Sequence, residues 1–147
     1  MNISELSGTP GSGGPILALD IGSGTQDALL AVPGVAPENW SRFVLPTPAL
    51  QVAARIRELT AQRTPVWLHG SNMGGGFGGA VAEHLKLGLR LAATPQAASA
   101  LHDDVNRVRA MGVTITEDEP PHCPVGFAPV FLSDCPPGFW NRLLEAA

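Results

Sequence analysis

Tyrosine is missing from this sequence, and lysine occurs once, at Lys86. The other aromatics are three Trp and five Phe, so the core has to be built from Leu, Val, Ala and Ile. No run of Lys or Arg is present, and the formal net charge is −4. Binding to nucleic acid through its phosphates needs a basic face, and this chain offers none. The same lack rules out a polybasic membrane anchor. No apolar run approaches the roughly 20 residues of a membrane span. No basic stretch followed by an apolar one opens the chain, so a signal peptide is not expected either. Two cysteines, Cys123 and Cys135, are too few for a disulfide framework. These absences together make the cytoplasm the expected location.

What is abundant is glycine, at 17 residues, and proline, at 14. The chain therefore turns often. Its 147 residues, 44% of them apolar, suffice for one globular core. Residues 1–14 are rich in Gly, Ser and Thr without apolar periodicity and read as a flexible leader. Residues 15–147 read as a single domain.

Residues 16–21 form a nearly continuous apolar run, which predicts a strand buried on both faces. A tight turn at 22–25 leads to a second strand at 28–32, and 42–45 is a third. Val52, Ile56 and Leu59 fall on one stripe of a helix over 49–63, which Pro65 ends. Strands follow at 66–68, 89–93, 113–116 and 130–132. Between them lie a helix ending near Leu87, with Gly88 as its stop, and a helix over 95–111 with Thr94 as N-cap and Gly112 at its end. Asp104 and Arg107 can pair on the wet side of that helix. A short helix near 137–146 closes the chain. Three strands and then helix–strand alternation predict one mixed sheet covered by helices.

The first chemical motif is Leu19-Asp20-Ile21-Gly22-Ser23-Gly24-Thr25. Glycines let backbone N–H groups approach phosphate oxygens without a Cβ in the way. The Thr25 hydroxyl can donate one bond more. A carboxylate at the end of a buried strand needs a partner, and hydrated Mg²⁺ is one. The plain alternative is that Asp20 only caps the turn. Asp27 adds a second carboxylate that repels phosphate or helps hold a metal. The motif resembles the first phosphate motif of the actin, heat-shock chaperone and sugar-kinase ATPase superfamily. That resemblance implies a ribonuclease H-like mixed sheet, Mg-ATP as ligand, Asp20 orienting metal-bound water, and phosphate held by Gly22, Ser23, Gly24 and Thr25. Asp20 and Asp27 are the candidate metal ligands.

The second motif runs from His69 to Gly79 and holds Gly74-Gly75-Gly76. A glycine-rich turn between a strand and a helix can bind an anion at the helix N-terminus. No Gly-Lys-Ser/Thr closes it, so it is not a Walker A loop, and its setting does not suit a Rossmann fingerprint. Close helix–sheet packing is the competing explanation. His69, Asn72 and His84 are the polar side chains nearby. His122-Cys123 and Asp134-Cys135 could supply zinc ligands, but their spacing fits no zinc template. His102-Asp103-Asp104 reads as a solvated helix face. No serine or cysteine nucleophile has a paired base.

Five segments together carry a closer resemblance: 19–27, Leu45-Pro46-Thr47-Pro48, Met73-Gly74-Gly75-Gly76, residues 93–98, and Asp103-Asp104. They are similar to a prokaryotic family often labelled pyruvate formate-lyase activating enzyme. Over residues 15–147 this resemblance implies one lobe of an actin-like ATPase or phosphotransferase. Members of that family are longer, so the second lobe, with its adenosine pocket, is expected to be absent. The ligand expected is a nucleotide or small phosphorylated molecule. A protein-interaction or dimerisation module, using the surface that the missing lobe would cover, is the rival reading. A radical activating enzyme holds an iron–sulfur cluster on about three or four thiolates. With two cysteines twelve positions apart, no such cluster is expected.

Overall fold

The structure is a computed structural model and describes residues 13–22, 24–117 and 122–146. Of the expected leader, 1–14, only Gly13 and Gly14 lie within the described residues. The chain divides into two compact units, Met1–Thr47 with Cys135–Ala147, and Pro48–Asp134.

The first unit contains an antiparallel meander of β1 (Ile16–Ile21), β2 (Thr25–Ala31) and β3 (Ser41–Pro46), in the order β1-β2-β3. Its register pairs Asp20 with Asp27 and Asp27 with Val44. Helix α5 (Pro137–Ala146) belongs to the same unit. The expectation of a strand buried on both faces is corrected here. Exposure alternates along β1, with Ile16, Ala18 and Asp20 out and Leu17, Leu19 and Ile21 in. An antiparallel sheet with one wet face reads as alternation. The apolar Ile16 and Ala18 on the wet face hid that alternation in the sequence. The second strand also starts earlier than expected, at Thr25.

The second unit is built on a parallel sheet in the order β6-β5-β4-β7, with β4 (Val66–Ser71), β5 (Leu91–Ala93), β6 (Thr114–Ile115) and β7 (Ala128–Ser133). The partners of β4 are β5 and β7. The single mixed sheet predicted from the strand order is therefore two sheets, a three-stranded antiparallel one and a four-stranded parallel one.

Helices α1 (Pro48–Ala61), α2 (Gly78–Lys86), α3 (Pro95–Ser99) and α4 (Val105–Ala110) bury their apolar sides against one face of the parallel sheet. Val66 and Leu68 of β4, Leu91 and Ala93 of β5, and Val130 and Leu132 of β7 form that face. Val52, Ile56 and Leu59 of α1 meet it, as their spacing predicts. Each fully buried Leu or Ile contributes about 1.5–3 kcal/mol, so this layer is the main source of the unit's stability.

The predicted helix over 95–111 is two helices. Thr94 caps the first, accepting the N–H of Ala97 at 3.3 Å. Asp104 caps the second, accepting the N–H of Asn106 at 2.9 Å. A short carboxylate prefers this local bond to a place inside a helix. Asp104 thus acts as a cap and not as the ion-pair partner of Arg107. The guanidinium of Arg107 lies 3.4 Å from His102 Nε2 instead.

Candidate functional site

In an open parallel sheet, ligand crevices form at the carboxyl ends of the strands, where successive connections diverge. Here β4 leads through α2 to β5 on one flank, while β7 takes the other flank. The divergence falls between β4 and β7, whose last register pair is Ser71 and Ser133. Beyond that pair, the Asp134 carboxylate accepts the N–H of Met73 at 2.7 Å. It ties the start of the glycine turn to the end of β7. The Asn72 side-chain oxygen accepts the N–H of Gly74 at 3.0 Å, the local turn typical of Asn. Its Nδ2 is buried without a partner.

Gly74, Gly75 and Gly76 follow with φ of +77°, +77° and +63°. Three successive left-handed residues explain the cost of three glycines. Their roles differ. A Cβ on Gly74 would run into the carbonyl oxygen of Ala100, so Gly74 serves close packing. A Cβ on Gly75 would meet nothing within 4 Å, so the turn is open there. Helix α2 starts at Gly78 without a side-chain cap. Among the described residues, no backbone acceptor takes the N–H groups of Gly75, Gly76, Gly78 or Gly79. Free N–H groups at a helix N-terminus favour an anion.

The other predicted motif lies in the first unit. Gly22 N–H donates to the Thr25 carbonyl at 2.8 Å and closes the β1–β2 turn. A Cβ on Gly22 would sit 3.1 Å from that oxygen. The N–H of Thr47 reaches Gly24 O at 3.3 Å. Ser23 lies outside the described residues. Asp20 and Asp27 face each other across the strands, and Thr25, two residues before Asp27, shares their face. That face is the wet one. Asp20 is exposed, not buried at a strand end as expected, because the outer face of the meander is solvated. Asp20, Asp27 and Arg42 border a shallow cavity of about 440 Å³, with Val44 and Leu29 between them. Two carboxylates directly opposite repel each other, which favours a cation beside them.

His69 lies between two rings on the face of the parallel sheet turned away from the helices. It stacks on Trp67, with centroids 4.7 Å apart and planes at 15°, and meets Phe131 at 5.2 Å and 41°. Trp67 is buried, and its Nε1 donates to Thr116 Oγ1 at 3.1 Å. Burial holds the His69 imidazole below its usual pKa, and its Nδ1 has no partner. Cys123 donates its thiol proton to the Phe127 carbonyl at 3.4 Å, and burial pushes its pKa up. Cys135 is exposed. Among the described residues, no three His, Cys, Asp or Glu side chains gather where they could hold a metal ion.

The glycine turn is legible in the sequence, but its partner Asp134, just after β7, is not. Its only trace there is an apolar run that ends in Ser-Asp. Sequence reasoning also missed the Trp67–His69–Phe131 stack, which joins residues 62 to 64 positions apart across the sheet (131 minus 69, 131 minus 67).

Fold and edge together define a mixed α/β protein with a parallel four-stranded sheet, an antiparallel three-stranded one, and a glycine turn at a strand divergence. Residues 73–147 match the family described as "Putative pyruvate format-lyase activating enzyme (DUF1786)". The chain belongs to that family. The match begins at the glycine turn and leaves out the Asp20–Asp27 hairpin. No curated protein and no solved structure matches the chain. Among the described residues, no helix is long and apolar enough to cross a membrane.

Proposed function

We propose that this chain is a phosphate-binding lobe that takes a nucleotide, as part of an ATPase or phosphotransferase of the actin-like superfamily. The observation that carries the reading is the turn at the β4–β7 divergence. Consecutive left-handed glycines there lead into the uncapped N-terminus of α2, with backbone N–H groups free. The β1–β2 turn supports it independently, since Asp20, Thr25 and Asp27 share one face beside a glycine turn.

Hard oxygen donors suit Mg²⁺, which binds through one or two carboxylates and keeps several waters. Asp20 and Asp27 fit that requirement and would hold it. The ion would offset the charge of a phosphate held at the Gly22–Thr25 turn of the same unit. Catalysis of phosphoryl transfer is mainly positioning and charge stabilisation, and the free backbone N–H groups of the glycine turn would serve the positioning.

The family label points elsewhere, to radical chemistry on an iron–sulfur cluster. The residues present do not fit it. Cluster ligands are thiolates, whereas the half-buried Cys123 has its pKa pushed up by burial and donates to the Phe127 carbonyl. That leaves Cys135 as the one exposed thiol.

Isothermal titration of Mg-ATP into the full chain, repeated with EDTA and with Asp20→Asn, tests the proposal. Micromolar binding that weakens in both controls is expected. Absence of any binding to ATP or pyrophosphate overturns it. The rival reading, a dimerisation module, draws on Ile16 and Val44, which stand 65% and 69% exposed on the outer face of the meander. A tight dimer by analytical ultracentrifugation, unaffected by ATP, would favour that reading.

A further inference from the structure

We propose that the outer face of the β1-β2-β3 meander docks on the same face of a second copy of this chain, with Arg42 of each copy against Asp20 and Asp27 of the other. Mg²⁺ at the two carboxylates releases the pair, a consequence that rests on the magnesium assignment of the proposed function.

Residues directly opposite in an antiparallel sheet share a face. Ala18 lies opposite Leu29 and Leu29 opposite Arg42, while Asp20 lies opposite Asp27 and Asp27 opposite Val44. One solvated face therefore carries two acids and one base among apolar side chains, with Ile16 and Val44 largely in water. Asp20, Asp27 and Arg42 are exposed, and none of them forms a salt bridge among the described residues. Arg42 stands diagonal to Asp27, roughly 7–8 Å away in such a sheet. Opposite charges thus share the face without pairing across it, and the two facing acids still call for a cation. A guanidinium from a second copy supplies one.

A two-fold axis between two such faces makes every contact reciprocal. Arg42 and Asp27 are offset by about 4.8 Å across the strands and about 6.8 Å along them. The axis that lays one over the other runs diagonally, so the strands of the two copies cross at roughly 70°, near the orthogonal mode of sheet packing. Leu29 and Val44, on the other diagonal, then lie close to the axis and meet their own counterparts. Apolar contact fills the middle, and the charge pairs beside it fix the register. The face spans roughly 300 Å², well under the ~800 Å² per partner of a stable dimer. The pairing is accordingly weak. Mg²⁺, which binds through one or two carboxylates, competes with the guanidinium for the same groups.

Sedimentation equilibrium of the full chain at submillimolar concentration, in EDTA and again in millimolar Mg²⁺, tests the pairing. A monomer–dimer equilibrium is expected in EDTA, and a shift toward monomer in Mg²⁺. Arg42→Glu should weaken the dimer roughly tenfold or more, because like charges then meet across the axis. Arg42→Asp combined with Asp27→Arg exchanges the signs and should restore it. Far-UV circular dichroism checks that the variants fold. A chain that stays monomeric in EDTA overturns the pairing and leaves the face to another partner, whatever the Mg-ATP titration gives. A dimer that Arg42→Glu leaves unchanged overturns it as well. A dimer that Arg42→Glu breaks but Mg²⁺ leaves intact supports the pairing and sinks the magnesium assignment instead.

Discussion

Thr60 Oγ1 and His84 Nδ1 lie 2.8 Å apart, which joins α1 to α2 inside the second unit. His84 is fully buried. Its Nε2 lies 3.1 Å from the Arg90 carbonyl. A carbonyl only accepts, so Nε2 carries a proton; the single Thr60 hydroxyl proton lies between Nδ1 and the Ile56 carbonyl, which is 2.7 Å away. The sequence placed His84 near the glycine turn as a polar residue of unclear use. The structure makes it a satisfied pin between two helices and the start of β5. Thr60→Val leaves a buried ring nitrogen unpaired, which costs about 1–3 kcal/mol. His84→Ala adds a cavity and should cost more, roughly 2–4 kcal/mol. Urea denaturation of both variants measures this, and a change below a few tenths for Thr60→Val would mean the bond is absent in solution.

The glycines of the turn should separate by mechanism. Gly74→Ala meets both a left-handed backbone and the Ala100 carbonyl, so it should lose about 2 kcal/mol or more. Gly75→Ala has only the left-handed penalty, about 1–2 kcal/mol, because its Cβ has open space. Gly79→Ala, in the first turn of α2 with nothing within 4 Å, should gain up to about 1 kcal/mol from helix propensity. Thermal melts of the three variants read the order directly.

This contrast shows how far the sequence could be read. The glycine cluster announced a special turn, but nothing local said which glycine packs and which stays open. Ala100, the residue that decides it, arrives from α3. The helix stripes and the caps at Thr94, Gly88 and Gly112 were legible because they depend on neighbours in sequence. The division into two sheets was not, because pairing of β4 with β7 joins residues about sixty apart. Asp104 misled for a related reason, since the same residue suits a helix face and an N-cap.

The two cysteines should differ in reactivity. Thiolate is the nucleophile, and burial pushes the Cys123 thiol up while its proton is engaged by Phe127. Cys135 is exposed. Iodoacetamide at pH 8 should modify Cys135 faster than Cys123. Peptide mapping by mass spectrometry distinguishes them, and equal rates would contradict the partial burial of Cys123.

His69 predicts a pH dependence. Its pKa is lowered by burial from 6.5, so the unfolded chain protonates first as pH falls. Between 6.5 and the lower folded value, the unfolded state binds more protons, and stability falls with pH. Above 6.5 the contribution is complete. His69→Phe removes the group while keeping a ring for Trp67 and Phe131. Urea midpoints at pH 7.5 and 5 should therefore drop less in His69→Phe than in the wild type. His84, His102 and His122 are common to both proteins and cancel. An equal drop would show that His69 titrates alike in both states.

Three helices end in the same pattern of bonds, and one of them lacks the residue it calls for. After α2, Gly88 N–H reaches Leu85 O at 2.9 Å and Leu89 N–H reaches His84 O at 3.4 Å. After α4, Gly112 and Val113 repeat this toward Arg109 and Val108, at 2.9 and 3.4 Å. After α1, Arg63 N–H reaches Thr60 O at 3.0 Å and Thr64 N–H reaches Leu59 O at 2.9 Å. This is the left-handed helix stop that glycine suits best. Gly88 and Gly112 take φ of +72° and +96°, whereas Arg63 is held at +53°. A residue with a Cβ pays about 1–2 kcal/mol for that conformation. Glycine removes the strain but gives the unfolded chain more freedom, about 0.5–1 kcal/mol against it. The difference favours Arg63→Gly by several tenths of a kcal/mol or more. Arg63 is exposed and makes no salt bridge among the described residues, so little is lost with its side chain. A urea midpoint that rises in Arg63→Gly confirms the strained stop, and one that falls places the larger effect in the unfolded chain.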